Sequence, residues 1–274
     1  MSSQTNERVG LERIGVIGGS GFEHFLEDPQ PITLQTPYGP PSNPLWSGAV
    51  GGRQVIFLKR HGEGHRLSPA AINYRANIWA LKELGVIRVL ATAASGSLDP
   101  RIHPGDLVIC DQFIDRTRGR EDTYFGPGAP VAHVAAADPY CPELRRLALD
   151  CARQASWEAH DGGTVVVIQG PRFSTRAESA WFAGMGWQVI NMTQYPEVIL
   201  ARELELCYVG LALVTDYDAG VAGRPEIEPV TAAQAVRIFR DNNQRLQEVI
   251  MGMIATAPRR GACSCGSAMD SARV

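Results

Sequence analysis

Residues 208–218 read Tyr-Val-Gly-Leu-Ala-Leu-Val-Thr-Asp-Tyr-Asp, an apolar run that ends in two carboxylates. We predict a strand over 208–216, because short β-rich runs between turn signals are typical of strands. Similar runs predict strands at 13–17, 55–59, 89–94, 107–110, 164–169 and 189–192. Amphipathic stretches alternate with these runs. The alternation favours an α/β fold built on a largely parallel or mixed sheet.

Three segments carry helix signals. Ser68-Pro69 reads as an N-cap followed by proline, and Gly85 ends the helix predicted between them. A second helix is predicted around 144–155, and a final one over 231–257, stopped by Pro258. One domain is therefore predicted over 13–258, with a flexible N-terminus over 1–12 and a flexible, cysteine-containing tail over 259–274.

Length and composition exclude several classes of protein. The chain has 274 residues, of which 45% are hydrophobic and 20% charged, as in a globular protein that needs no disulfide to fold. Its net charge of −3 disfavours a general nucleic-acid binder. The sequence shows neither an apolar run of the roughly 18 residues that span a membrane nor a signal-peptide core. We therefore expect a cytoplasmic protein.

Small or polar clusters stand at the ends of four predicted strands. They lie at 18–21, 94–97, 191–193 and 216–218. Ligands of open α/β sheets bind beyond the carboxyl ends of the strands. We therefore predict that these clusters form one composite site.

Two of the motifs suit an anion. Glycines in Gly-Val-Ile-Gly-Gly-Ser-Gly at 15–21 let backbone N–H groups approach a ligand, and Ser20 adds a hydroxyl donor. Ile17 stands where a dinucleotide-binding loop needs glycine, and the lysine of a P-loop is missing. Arg60 and His61 add a guanidinium and an imidazole, which suit an oxyanion. Taken separately, the two motifs also fit a tight turn and a solvated basic loop.

Other candidate residues are weaker when each is taken alone. Thr193 could donate to an anion at a helix N-terminus, and Met192 could supply an adaptable apolar surface. The alternative is a capping threonine beside a core methionine. Phe173 could cover a flat ring, and Ser174 could cap the next helix. His133, in an Ala/Val-rich loop, is more typical of a packing or surface histidine.

Asp216 and Asp218 are the sharpest chemical signal. Residues two apart on an extended chain point to the same side, and repulsion raises the pKa of one carboxyl. That group can then stay protonated and act as a donor. The alternatives are an acidic turn and a metal site. No Cys/His spacing supports zinc beside them, and no third carboxylate is near in sequence.

The six cysteines fall into two groups. Four lie among apolar residues and are predicted to be buried thiols: Cys110, Cys141, Cys151 and Cys207. Cys263 and Cys265 lie in the tail, where they could form an exposed thiol pair, a reducible disulfide or half of a metal site. Of these we favour an inert pair.

Together the motifs resemble those of the 5′-deoxy-5′-methylthioadenosine phosphorylases, within the trimeric purine nucleoside phosphorylase group. The resemblance covers residues 14–257, with motifs at 15–21, 60–62, 77–83, 96–98, 111–117, 170–179, 191–193, 196–197 and 215–218. It implies one α/β domain around a mixed, partly barrel-like sheet flanked by helices, assembled as a homotrimer. It also implies phosphorolysis of S-methyl-5′-thioadenosine to adenine and 5-methylthioribose 1-phosphate, a reaction of purine and methionine salvage. Phosphate would be a co-substrate, and neither a metal ion nor an organic cofactor would be needed.

The resemblance also implies roles for individual residues. Phosphate would be bound by Ser20, Arg60, His61, Thr193 and the backbone of Ala94. The nucleoside would be held by Ser95, Gly96, Phe173, Ser174, Met192, Asp216 and Asp218. Asp216 would protonate purine N7, and Asp218 would accept from the 6-amino group. His133 would reach a neighbouring subunit's site, near the methylthio group.

Several alternatives stay open. Relatives that prefer 6-oxopurines tend to carry Asn at the position of Asp216, so a 6-aminopurine is expected here. Within the class, the alternative is a broader purine nucleoside or methylthioinosine phosphorylase. A nucleosidase would use water and would not need the anion clamp of Arg60 and His61. A nicotinamide-dependent oxidoreductase would need the missing glycine. A thiol- or metal-binding protein would leave the strand-end clusters unexplained.

The resemblance extends to the cysteines and the 5′ pocket. Cys141 and Cys207 have similar placement in relatives, which makes them candidates for proximity or a disulfide, although a cytoplasmic setting disfavours the bond. Some heat-stable relatives also carry a Cys-x-Cys tail. Some relatives place a hydroxyl residue where this chain has Ala93, and others extend a further helix over the 5′ pocket. Discrimination against adenosine is therefore left open.

Overall fold

The computed structural model of the protein describes residues 12–19, 26–126, 128, 130–220, 227–258 and 262–272. The strands are β1 (Arg13–Gly18), β2 (Glu27–Ile32), β3 (Leu45–Val50), β4 (Arg53–Lys59), β5 (Val86–Ser97), β6 (Leu107–Ile109), β7 (Gln112–Arg116), β8 (Ala159–Asp161), β9 (Thr164–Ile168), β10 (Val189–Asn191) and β11 (Cys207–Asp216). The helices are α1 (Tyr74–Glu83), α2 (Pro142–Gln154), α3 (Arg176–Gly184), α4 (Gln194–Glu203), α5 (Ala232–Asp241) and α6 (Asn243–Thr256). Within the described ranges, no helix has the length and apolarity needed to cross a bilayer.

The described strands form one 11-stranded mixed sheet that branches at β5. β5 pairs in parallel with β1 and with β11, and its last residues pair antiparallel with β10. The sheet continues from β1 to β4, β3 and β2, from β11 to β6 and β8, and from β10 to β9 and β7. The predicted mixed α/β fold is confirmed. Because β1, β5 and β11 are parallel neighbours, their carboxyl ends meet at one edge.

Alternating side chains of the central strands pack into two cores. Leu90 of β5 and Leu211 of β11 lie in the core that includes residues of α2 and α6. Val89 and Ala212 lie in the opposite core, which includes residues of α1 and α4. A sheet covered on both faces explains why these strands are continuously apolar in sequence. It also leaves the strand ends as the natural place for polar groups.

Two predicted helices differ from the observed ones. α1 begins at Tyr74 and not beside Pro69, because Asn73 caps it by accepting from the Ala76 N–H at 3.1 Å. The predicted helix over 231–257 is two helices, α5 and α6, separated at Asn242. The Asn242 amide donates to the carbonyl of Ile238 at 3.0 Å, a bond that helps to end α5.

The chain ends and one hairpin also bear on the predictions. Residues 1–11 lie outside the described residues, so the predicted N-terminal boundary stays a prediction. The predicted flexibility of the tail stays a prediction. Its described part, 262–272, contains a 3-10 helix over Ser264–Ser267 and buries Cys265 to 5% exposure. The antiparallel hairpin of β2 and β3 was not predicted, because Glu-Asp-Pro-Gln-Pro at 27–31 lacks an apolar alternation.

Candidate active site

The site lies where β1, β5 and β11 end. Ala94 is exposed, although its neighbours Ala93 and Ser95 in β5 are buried. An exposed residue inside an otherwise buried strand marks an opening at this point of the sheet. The Arg60 N–H donates to the carbonyl of Gly18 at 3.2 Å, which brings the end of β4 to the end of β1. Ser20 lies outside the described residues, so its contact with phosphate stays a prediction.

Arg60 is buried and held in a fixed orientation. Its Nε and Nη2 donate to the two carboxylate oxygens of Glu197 at 2.8 Å each, and Nη1 donates to the Thr92 carbonyl at 2.6 Å. Burial alone would lower the pKa of Arg60, but the Glu197 carboxylate outweighs it and the pKa is raised. A guanidinium has five N–H donors, so two remain for an anion.

Glu197 is the main site residue to which the sequence assigned no role. It lies on α4, is fully buried, and accepts a further hydrogen bond from the Tyr208 hydroxyl at 2.7 Å. A buried carboxylate requires a charged partner. The signal was a glutamate among apolar residues at 196–201, and it indicates a positioning residue for Arg60.

His61 follows Arg60 but contributes no charge at neutral pH. Its Nδ1 lies 2.9 Å from the Leu67 carbonyl, and its ring stacks on His65 with centroids 4.0 Å apart. Burial, followed by the charge of Arg60, lowers its pKa to about 4. Since a carbonyl only accepts, the neutral ring carries its proton on Nδ1. Nε2 is left as an acceptor, which suits a protonated oxygen of phosphate.

The half-buried, neutral His61 leads to a prediction about pH dependence. An unfolded chain binds a proton at His61 below pH 6.5, whereas the folded chain does so only near pH 4. Stability from this group is therefore complete above pH 6.5 and is lost as the pH falls toward 4, by up to about 3 kcal/mol. We expect His61→Asn to lose less stability between pH 7 and 4.5 than the wild type.

Urea unfolding at one protein concentration measures this difference. Gln154→Asn, at the exposed end of α2, is the control and should follow the wild-type curve. If the wild type and His61→Asn lose the same stability, the pKa of His61 is not lowered by the folded protein.

Two threonine hydroxyls adjoin the Arg60 region. Thr193 is buried at the N-cap of α4, but its side chain makes no capping bond there. Thr92 Oγ1 is buried and has no hydrogen-bond partner among the described residues. A buried unpaired hydroxyl is costly unless a ligand or water satisfies it. Thr92, which the sequence did not single out, is therefore a further candidate contact for the anion.

Asp216 and Asp218 are both buried, as a proton-donating pair requires. Burial is the largest cause that raises the pKa of each carboxyl, and repulsion from Asp218 is a minor cause at Asp216. Repulsion, the cause predicted from the sequence, therefore raises the pKa of Asp216 less than burial does. Asp218 has a positive φ of 50°, so the chain turns there, and its N–H donates to Asp216 Oδ1 at 2.8 Å. The Thr215 hydroxyl donates to Asp216 Oδ2 at 2.6 Å.

Ser95 and Gly96 bring β5 against this pair. A Cβ on Gly96 would lie 2.8 Å from Asp216 Oδ1, so only glycine allows the carboxylate this close. The carbonyl of Ser95 accepts from the Thr215 hydroxyl at 3.3 Å. The Oγ of Ser95 lies 3.4 Å from the Asn191 amide nitrogen. Both residues support the carboxylate pocket at the end of β11.

The loop before α3 completes the acidic end of the site. Thr175, and not Ser174 as predicted, caps α3 in a reciprocal pair with Glu178. Ser174 Oγ and Asp218 Oδ2 are buried, and neither makes a hydrogen bond of good geometry within the described part of the chain. The Ser174 and Ser179 hydroxyls nevertheless lie close enough to Asp218 to limit the rise of its pKa. Phe173 is 38% exposed. Unpaired polar atoms beside an exposed aromatic ring are what a heteroaromatic ligand would satisfy.

Met192 is held in place by backbone contacts. A Cβ on Gly170 would lie 2.5 Å from Met192 Sδ, so glycine allows the two loops to meet. Arg120 donates to the carbonyls of Met192 at 2.9 Å and Gln169 at 3.0 Å, and thereby joins the same loops. The sequence did not identify Arg120, because its role depends on carbonyls far along the chain.

His133 does not join these residues within one chain. It is exposed on the loop before α2, and its N–H donates to the Ala272 carbonyl at 2.7 Å. The structure thus brings together the ends of β1, β4, β5, β10 and β11 and the start of α4. It leaves His133 apart.

Comparison with known proteins places this arrangement among relatives. The sequence model of the phosphorylase superfamily matches residues 13–255. The S-methyl-5′-thioadenosine phosphorylase of Mycolicibacterium smegmatis is 54% identical over 83% of each chain. The purine nucleoside phosphorylase of Streptomyces coelicolor is 51% identical over 93% of this chain and 94% of its own. Methylthioadenosine phosphorylase from Schistosoma mansoni, solved with adenine, superposes with a TM-score of 0.89 at 36% identity, covering 95% of this chain and 98% of its own.

Proposed function

Because the chain belongs to the phosphorylase superfamily, we propose that it cleaves S-methyl-5′-thioadenosine with phosphate, giving adenine and 5-methylthioribose 1-phosphate. One observation carries this proposal. A buried arginine with two unused donors and a buried pair of carboxyls with raised pKa values lie at one sheet edge. The first suits an anionic nucleophile, and the second suits a leaving group that needs a proton.

Phosphate would be held by the basic end of the site. Arg60 offers its remaining N–H donors, Thr193 and Thr92 offer hydroxyls, and Ala94 offers exposed backbone. His61 accepts through Nε2 from a protonated phosphate oxygen. Glu197 fixes the donors of Arg60, and the Leu67 carbonyl fixes the acceptor of His61. These groups therefore need little reorganisation when charge moves, which favours the transition state.

The purine would occupy the acidic end. A phosphate oxygen attacks C1′ as the bond from C1′ to N9 breaks, and the bonding electrons pass into the purine ring. Asp216 gives its proton to N7, which neutralises the charge that develops there. Asp218 accepts from the 6-amino group, Phe173 covers the ring, and Met192 lies beneath the ribose. The products form with no change of oxidation state, so the reaction needs no redox cofactor.

A broader purine nucleoside phosphorylase is the second candidate. The Streptomyces relative carries that name at 51% identity, nearly the value for the Mycolicibacterium enzyme. Asp216 favours the first candidate, since a carboxylate pairs with a 6-amino group and not with a 6-oxo group. Turnover of methylthioinosine equal to that of methylthioadenosine would favour the second candidate.

We also propose that the enzyme is a homotrimer in which His133 acts in a neighbouring subunit's site. His133 is exposed on a loop, and Val131 beside it is 59% exposed. This exposure supports contact of the loop with a neighbouring subunit. The cytoplasmic location stays a prediction from composition.

The proposed function is tested by adenine release from methylthioadenosine, followed by absorbance with and without phosphate. We expect release only when phosphate is present, from a species whose light-scattering mass is that of three chains. Release without phosphate would identify a nucleosidase. No release in either reaction would contradict the assignment of the nucleoside.

A further inference from the structure

Four cysteines converge far from the site just described. The Sγ atoms of Cys141, Cys207, Cys263 and Cys265 all lie within 4.8 Å of one another. Cys141 is the N-cap of α2, and Cys207 is the first residue of β11. Cys263 and Cys265 come from the tail. Three separate segments of the chain therefore bring their thiols together at this point, which we call the four-cysteine cluster.

We propose that the four-cysteine cluster binds one Zn²⁺ ion and that this ion anchors the tail to the domain. Zinc prefers four thiolates at about 2.3 Å in a tetrahedron, which sets neighbouring sulfurs about 3.8 Å apart. The Sγ atoms of Cys207 and Cys263 are 3.5 Å apart, and the whole set lies within 4.8 Å. All four are free thiols in this structure, and a tetrahedral ion accounts for four sulfurs that converge without a bond between them.

The donor set favours zinc among common metals. Four soft sulfur ligands in a compact arrangement select zinc over Mg²⁺ or Ca²⁺, which take oxygen ligands. Three of the four cysteines are buried and Cys263 is partly exposed, so all four positions of the ion would be filled by protein. A closed site of this kind is structural and not catalytic.

Distance separates the cluster from the catalytic residues. Cys207 begins β11 and Asp216 ends it, nine residues further on. At about 3.3 Å per residue, the two ends of the strand are about 30 Å apart. The ion would therefore stabilise the domain at the edge opposite the proposed nucleoside site, and it would take no part in phosphorolysis.

The negative charge of a zinc tetrathiolate would be stabilised by the N-terminus of α2. Four thiols and one Zn²⁺ ion give a tetrathiolate complex of charge −2 and release four protons. Cys141 stands at the N-terminus of α2, where unpaired N–H groups and the helix dipole stabilise negative charge. Metal binding would thus be favoured by raising the pH, because the thiols must lose their protons.

The anchored tail touches other parts of the domain. The Met269 N–H donates to Glu205 Oε1 at 3.2 Å, just before β11. The Ala272 carbonyl accepts from the N–H of His133 at 2.7 Å. Fixing the tail by an ion between the cluster residues therefore also fixes the backbone that carries His133.

Metal content of the full-length protein tests the proposal. The chain is purified under a phosphine reductant from zinc-supplemented medium, and zinc is measured by mass spectrometry. Co²⁺ is then exchanged in as a probe, since its absorption reports tetrahedral thiolate coordination. Cys263→Ser and Cys265→Ser remove ligands from the tail and change no residue of a strand or an α-helix. Cys110→Ser and Cys151→Ser are matched controls, because both thiols are buried outside the cluster.

We expect about one zinc per chain in the wild type and in both controls. Each tail variant should lower the zinc affinity at least about tenfold and abolish the cobalt–thiolate band. If no zinc is bound while the four thiols of the cluster remain reduced, the proposal is overturned. A mass lower by four hydrogens, with no uptake of zinc after reduction, would also overturn it, since this would identify two disulfides. Zinc retained equally by the tail variants would place it elsewhere.

Discussion

Asp216→Asn is expected to slow adenine release from methylthioadenosine by about 10²- to 10⁴-fold, the usual contribution of a general acid. The amide has the size of the carboxyl but does not transfer a proton to N7. Its effect should appear in kcat, because the leaving group needs the proton in the transition state and not in the bound ground state.

The same variant should fold at least as stably as the wild type. Burial raises the pKa of Asp216 above its unfolded value of 3.8. An aspartate of this kind loses stability as the pH rises from 3.8 through the raised pKa, since the unfolded chain ionises first. At pH 8 the wild type carries that penalty and Asn does not. A thermal midpoint at pH 8 that is equal or higher separates lost chemistry from lost folding.

Asp150→Asn, on the exposed face of α2, is the matched control and should keep full activity. The rate ratio of methylthioinosine to methylthioadenosine should rise in Asp216→Asn, because the amide can donate to a 6-oxo group. Full turnover of methylthioadenosine by a folded Asp216→Asn enzyme would remove Asp216 from the mechanism.

The strand-end chemistry could be predicted from the sequence because it depends on local signals. When Asp216 and Asp218 follow a buried strand, their carboxyls lie at the edge of the sheet. This holds whichever strands pair with that strand. Arg60 and His61 follow a strand in the same way. The phosphate, the purine and the trimer came from the resemblance and not from the residues alone.

What could not be predicted depends on contacts between distant segments. Glu197 and Arg60 are 137 positions apart, and their pairing appears only once the fold brings the residue after β4 to α4. The switch of the α3 cap from Ser174 to Thr175 changes which hydroxyl is free, a choice that the local sequence leaves open. The sequence alone favoured an inert pair at Cys263 and Cys265. Their neighbours in space, Cys141 and Cys207, are distant in sequence, so the four-cysteine cluster could not be predicted from local spacing.

Arg60→Lys is expected to raise the KM for phosphate by about 10- to 150-fold, while the KM for methylthioadenosine changes little. Lysine keeps the positive charge beside Glu197, so the buried carboxylate is not left unpaired, which would cost about 3–5 kcal/mol of stability. It does not reproduce the planar fork that bonds both Glu197 oxygens and still offers two donors. The loss of one charge-assisted hydrogen bond is worth about 1.5–3 kcal/mol, which gives the stated range.

Glu197→Gln supplies the complementary test. The guanidinium stays in place, but its orientation rests on one carbonyl oxygen and on the Thr92 carbonyl. We expect a smaller rise in the KM for phosphate than in Arg60→Lys, in the same direction, because orientation is weakened while the donors remain. Arg153→Lys, whose exposed side chain pairs with Asp150, is the control and should leave both KM values unchanged.

An unchanged KM for phosphate in Arg60→Lys would mean that the anion does not bind the guanidinium. Phosphate recognition would then come without the guanidinium, from the hydroxyls of Thr92 and Thr193, the His61 ring and the backbone at Ala94. This is a weaker and less selective set for a dianion.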